Sequence, residues 1–178
     1  MFNKKYAITA LVLGLVAATS ALLIGLTHLA TKAKIEENER LAISEGMNEI
    51  YAKTSTNYVE IKSFKGYETV KKAYKVSEND QFLGYAFKTA GSNTYGKISL
   101  IVGFAPGSGV KYYFAGISVI ENGQTYASTL EENYIDPLHN NTITYDQVNC
   151  GATYGAKLIE KMINDANNAA EQVWGINE

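Results

Sequence analysis

Residues 97–104 read Lys-Ile-Ser-Leu-Ile-Val-Gly-Phe, and this stretch decides the fold. After its first residue it is nearly continuous in apolar and β-branched side chains, so it reads as a central strand of a sheet. Residues 67–76, 82–89 and 110–120 are further β-branched and aromatic runs. Turn signals lie between them: Glu78-Asn79-Asp80, Gly91-Ser92-Asn93, Pro106-Gly107-Ser108-Gly109 and Asn122-Gly123. Short strands with short connections predict an antiparallel meander.

Upstream of the strands, residues 6–30 carry no charge and are almost wholly apolar. A helix needs roughly 20 such residues to cross a bilayer. The run is longer than a signal-peptide core and continues into charged sequence without a clear cleavage site, so it is expected to be a retained anchor. Lys4 and Lys5 favour a cytoplasmic N-terminus, which Lys32 and Lys34 oppose. Residues 31–54 read as a stalk helix, charged at first. Ile43, Met47, Ile50 and Tyr51 then form an apolar stripe able to dock on a domain. The expected division is an N-terminal tip and anchor over 1–31, a stalk and connection over 32–57, and an extracytoplasmic domain over 58–178.

Downstream, residues 124–146 are polar and read as an irregular connection. Residues 146–153, Asp-Gln-Val-Asn-Cys-Gly-Ala-Thr, lead into an amphipathic helix reaching about Trp174. Its apolar face holds Leu158, Ile159, Met162, Ile163, Ala166, Ala169, Ala170 and Val173. The fold class is therefore α+β: a twisted antiparallel sheet with flanking helices, preceded by one N-terminal transmembrane helix.

Composition narrows the function. With 46% hydrophobic and 19% charged residues the chain can build a core. A net charge of −2 and no basic stripe beyond the N-terminus argue against nucleic acid. The 13 Tyr and 15 Gly suit sheets, turns and aromatic contact surfaces. Cys150 is the only cysteine, so no internal disulfide is available, and it reads as a small stand-in for serine. His28 and His139 lie far apart and read as structural or solvated, with no metal-ligand cluster. No nucleophile-base pair, glycine-rich nucleotide loop or carboxylate couple stands out. Asn140-Asn141-Thr142 fits a glycosylation sequon, a pattern common by chance.

What remains is Cys150-Gly151-Ala152-Thr153 at a helix start. Small residues allow close approach to the backbone, and a first helical turn favours a phosphate. Thr153 at that place can cap the helix, contact a phosphate, or be esterified to one.

This Gly-Ala-Thr with its helix resembles the flavinylation motif of the covalent FMN-binding domain family. Gly84-Tyr85-Ala86-Phe87, Tyr95-Gly96-Lys97-Ile98 and the segment from Gly116 to Thr125 follow in that family's order. Over nearly the whole chain the sequence is similar to the G component of the Rnf-type ion-translocating electron-transport complex. The C component of the sodium-translocating NADH:quinone reductase is a relative. The resemblance implies FMN joined to Thr153 by a phosphoester. It also implies cofactor contacts from Cys150, Gly151, Ala152, Tyr154, Gln124, Thr125 and Tyr126. Tyr95, Tyr126 and Tyr154 lie in or beside the matched segments and are candidates to contact the flavin ring. The implied partners are the other membrane subunits of a ferredoxin:NAD oxidoreductase complex, and a flavin transferase for maturation. The chain departs from the motif at Gln147, where the family has Asp, and at Cys150. It departs again at Gln124, Tyr126 and Ala127 in the upstream loop. A stand-alone flavinylated extracellular carrier and a membrane-tethered scaffold domain are the alternative readings.

Overall fold

A computed structural model describes residues 4–140 and 142–176. Residues 1–3 of the expected cytoplasmic tip, the side chains of Lys4 and Lys5, and Asn141 of the sequon lie outside the described parts. The chain divides into two compact units, Met1–Leu41 and Ala42–Glu178.

The first unit is helical throughout its described length and belongs to α1, Lys4–Ile50. Among the described residues this is the one helix long and apolar enough to cross a membrane. Its leucines and isoleucines, such as Leu11, Leu15, Leu23 and Ile24, stand exposed all round rather than on one side. The hydroxyls of Thr19 and Thr27 donate to the carbonyls of Leu15 and Leu23 at 2.9 and 2.8 Å. That satisfies them within the helix, as an apolar solvent demands. Beyond Ala30 the helix turns polar, with Lys32–Glu36 and Lys34–Glu37 pairs one turn apart.

The second unit holds five antiparallel strands in the order β1-β2-β3-β4-β5. They are β1 Asn57–Ile61, β2 Val70–Glu78, β3 Gln81–Asn93, β4 Gly96–Pro106 and β5 Tyr112–Asn122. After β5 come α2 Ala127–Leu130, a π-helical turn Glu131–Ile135, α3 Asp136–His139 and finally α4 Thr153–Ile176. The expected meander is present, and residues 97–104 lie inside the sheet within β4.

Both faces of the sheet are covered, which is why β4 is apolar at nearly every position. Ile98, Leu100, Val102 and Phe104 face a large cluster with Ile159, Met162, Ile163, Ala166 and Val173 of α4. Ile101 faces the other way, into a smaller cluster with Ile43, Met47 and Ile50 from the end of α1. There the helix approaches closely, because a Cβ on Gly103 would stand 2.4 Å from Ile50 Cγ2. The Tyr51 hydroxyl reaches the carbonyls of Tyr85 and Phe104 at 3.0 and 3.2 Å.

Two local expectations need correction. Gly91-Ser92-Asn93 is not a turn; β3 runs through it, and the chain reverses at residues 94 and 95. The glycine is there for packing, since a Cβ on Gly91 would lie 2.8 Å from Leu158 Cδ1. Residues 124–146 are not wholly irregular: Leu130, Tyr134, Ile135 and Leu138 are buried at a helical spacing. Short and polar between those positions, the segment borrows its stability from the sheet it covers. β1 had no clear strand signal; it is a short, mostly exposed edge strand.

Candidate functional site

Three segments meet at one end of the sheet. The first is the β3–β4 turn with Asn93, Tyr95 and Gly96. The second is the loop after β5 with Gln124, Thr125 and Tyr126. The third is residues 151–155 at the start of α4. Hydrogen bonds tie them together. Thr125 donates to the Tyr95 carbonyl through its N–H at 2.7 Å and its hydroxyl at 2.9 Å. The Gln124 side-chain amide donates to the Gly96 carbonyl at 2.7 Å. Asn93 Nδ2 donates to the Tyr154 carbonyl at 3.0 Å, and its Oδ1 accepts from the Tyr95 N–H at 2.8 Å.

Between these segments lies an open cleft of about 380 Å³, lined by Tyr95, Gln124, Tyr126, Leu130 and residues 151–155. That size falls within the roughly 300–1,000 Å³ of small-ligand sites. Tyr95 is the hub of an aromatic trio: its ring centroid lies 5.8 Å from that of Tyr126 and 5.3 Å from that of Tyr154. Tyr126 and Tyr154 remain 56% and 67% exposed. None of the lining residues is acidic or basic, so nothing in the wall repels a phosphate.

Thr153 is the first residue of α4, and Ala152 stands at the capping position before it. The Ala152 carbonyl accepts from the N–H groups of Gly155 and Ala156 at 2.9 and 3.1 Å. The Thr153 side chain is half-buried, and its hydroxyl has no hydrogen-bond partner among the described residues. Thr153 is therefore not acting as a cap, which would accept a hydrogen bond from the first turn. Gly151 has φ +85°, a left-handed conformation that glycine adopts without strain. It turns the chain into the helix. A Cβ on Gly155 would lie 2.8 Å from Leu130 Cδ2, so its absence lets α4 and the segment after β5 close the floor of the cleft.

The sequence-derived residues Gln124, Tyr126, Gly151, Ala152, Thr153 and Tyr154 all line this cleft. Thr125 is exposed and ties the segments without lining the cleft, and Cys150 is half-buried against the main core. The Cys150 carbonyl accepts from Asn133 Nδ2 at 3.2 Å. Leu130 and Gly155 are lining residues that the sequence did not single out. Gly155 was visible as the last letter of Gly-Ala-Thr-Tyr-Gly, whereas Leu130 lay in a segment read as irregular. Gln147 and Asp146 border a different hollow with Asn133, Ile143, Val148 and Asn149, where the Thr144 hydroxyl donates to the Asp146 carboxylate. His28 is exposed on α1, and His139 Nδ1 stands 3.9 Å from a Glu49 carboxylate oxygen. No group that could hold a metal ion occurs among the described residues.

Fold and cleft define a class: an α+β domain with a tyrosine-lined cleft at a helix start, in a chain that also carries a helix able to span a membrane. Residues 1–50 match the family described as the RnfG N-terminal region, which makes the chain RnfG-like over that segment. The match ends with the last residue of α1 and does not reach the cleft. None of the curated proteins compared matches the chain.

Proposed function

We propose that this chain is the membrane-anchored flavoprotein subunit of an Rnf-type ion-translocating electron-transport complex, with FMN esterified to Thr153. The family match over residues 1–50 and the apolar helix support membership of the complex and a single-pass anchor. Under this reading the N-terminus is cytoplasmic and the domain extracytoplasmic, and a flavin transferase matures the protein.

One observation carries the flavin reading. A threonine hydroxyl without a partner among the described residues stands at the first turn of α4, in the wall of a cleft lined by three tyrosines. The residues present fit a phosphorylated, planar aromatic group. The first-turn N–H groups and the helix dipole favour the phosphate charge. The rings of Tyr95, Tyr126 and Tyr154 offer flat faces to an aromatic system. FMN, when bound, supplies the redox chemistry. The chain's own part is to hold and expose: Thr153 anchors, Gly151 and Gly155 bring the backbone close, and the open cleft leaves room for a redox partner to approach. A covalent link suits a compartment where a lost flavin is not readily replaced.

Co-expression with a flavin transferase, denaturation and in-gel fluorescence test the assignment. The wild-type band is expected to fluoresce and Thr153→Val to stay dark. A dark wild-type band beside a labelled control protein removes the covalent-flavin reading and leaves a tethered scaffold. A fluorescent Thr153→Val band moves the attachment site elsewhere.

A further inference from the structure

A second hollow, also about 380 Å³, lies across the β3–β4 turn from the cleft. Lys71 of β2, Lys97 of β4 and Lys161 of α4 line it, with Glu68, Thr69 and Ser92. Three ammonium groups thus share the hollow with one carboxylate, in a chain whose net charge is −2. Glu68 pairs with Lys161, and Lys71 Nζ donates to the Glu68 carbonyl at 2.9 Å, so Lys71 has no carboxylate partner of its own among the described residues. The nearby Asp165 carboxylate accepts from the N–H and hydroxyl of Thr69 at 3.2 and 2.8 Å and its charge also acts on Lys161, so the three ammonium groups exceed two carboxylates. Lys97 is exposed.

One face of α4 runs from the cleft to the hollow. Tyr154, Lys157, Leu158 and Lys161 recur at helical spacing on one face of α4. Tyr154 belongs to the cleft, Leu158 and Lys161 belong to the hollow, and Lys157 is exposed between them. Asn93, which follows Ser92 of the hollow, holds the Tyr154 carbonyl.

We propose that this lysine-lined hollow docks a carboxylate-rich protein surface and so seats a partner at the mouth of the tyrosine cleft. Charge complementarity selects the partner's sign and steers its approach. The neighbouring exposed tyrosines supply the aromatic element common at protein interfaces. The mixture of lysines, one glutamate and flat rings differs from the unbroken basic stripe that nucleic acid requires. The surface is built from the polypeptide alone, so it does not depend on flavin at Thr153.

The test uses the full-length chain in detergent and a short fluorescent glutamate-rich peptide as probe, read by anisotropy. Binding is expected to weaken about tenfold or more when Lys97→Glu and Lys161→Glu are combined, since like charges then face each other. It is expected to fade as added salt shortens the Debye length from about 10 Å to about 3 Å. Lys111→Glu, beyond the far end of β4, is expected to leave binding near the parent value, as is Thr153→Val. Equal weakening by Lys111→Glu would reduce the effect to the overall field and overturn the proposal. So would undiminished binding after reversal of Lys71, Lys97 and Lys161 together, with circular dichroism showing the fold intact. Capture of a single-stranded oligonucleotide in place of the peptide would overturn it in favour of a nucleic-acid site.

Discussion

At the scale of single residues, the cleft depends on what Gly155 lacks. A Cβ there would press 2.8 Å from Leu130 Cδ2, the end of a side chain already fully buried. Gly155→Ala is expected to lower stability by about 1–3 kcal/mol, read as a fall in melting temperature. The penalty should shrink in a Leu130→Ala background, because the two residues share one space; equal penalties in both backgrounds would show that the contact is not the cause. Tyr51 gives a second prediction. Burial raises its ionisation well above the ordinary phenol value; the hydrogen bond to Phe104 offsets part of this and Tyr113 adds to it. Tyr134 shifts the same way, chiefly through burial. Both phenols stay protonated in the folded protein, whereas unfolded tyrosine ionises near pH ~10. Their contribution to stability is therefore complete below about pH 10 and is lost as the pH rises further. Chemical denaturation across that range should show the decline, and Tyr51→Phe should make it shallower. At neutral pH the same substitution should cost about 0.5–1.5 kcal/mol, the usual net loss of one hydrogen bond.

At the scale of elements, the segment from Ala127 to His139 shows what local sequence cannot announce. It is two single turns joined by a π-helical one, too short to be stable in water by itself. It forms because Leu130, Tyr134, Ile135 and Leu138 find the sheet and α4 beneath them. Leu130→Ala should therefore cost about 2–5 kcal/mol, as a fully buried leucine does, and loosen the cleft floor as well. Faster amide exchange over residues 127–139 would report that loosening. Gly91 teaches the complementary lesson. Next to Ser and Asn it reads as a turn, yet the neighbour that requires a glycine is Leu158, 67 positions later in the chain.

At the scale of the whole molecule, the last turns of α1 belong to the domain. Ile43, Met47 and Ile50 cover Tyr74, Val76, Ala86 and Ile101 on the sheet face that α4 leaves bare. The compact unit accordingly begins at Ala42, within the segment that sequence reading assigned to the stalk. A fragment of residues 42–178 is expected to fold and melt cooperatively. A fragment starting at residue 52 should lose several kcal/mol, given about 1.5–3 kcal/mol for each large apolar side chain removed from that face. Equal melting temperatures for the two fragments would show that the α1 contact adds nothing.

The apolar run of residues 6–30, the alternation of strands and turns and the α4 stripe were all decided locally, by hydropathy and period, so the sequence alone determined the α+β class, the long apolar helix and the meander. The helix start at Thr153 was legible for the same reason: small residues before an amphipathic helix form a local signal, whereas the flavin role given to Thr153 came from the family resemblance. The tertiary structure alone decided how distant residues join that helix start, and added Leu130 and Gly155 to those the resemblance had named. Tyr95, Tyr126, Leu130 and Gly155 share one cleft with Thr153 because hydrogen bonds across the β3–β4 turn and packing of α4 on the sheet draw three separate segments together. Such contacts are set by the shape of the assembled layers, which no window of neighbouring residues encodes.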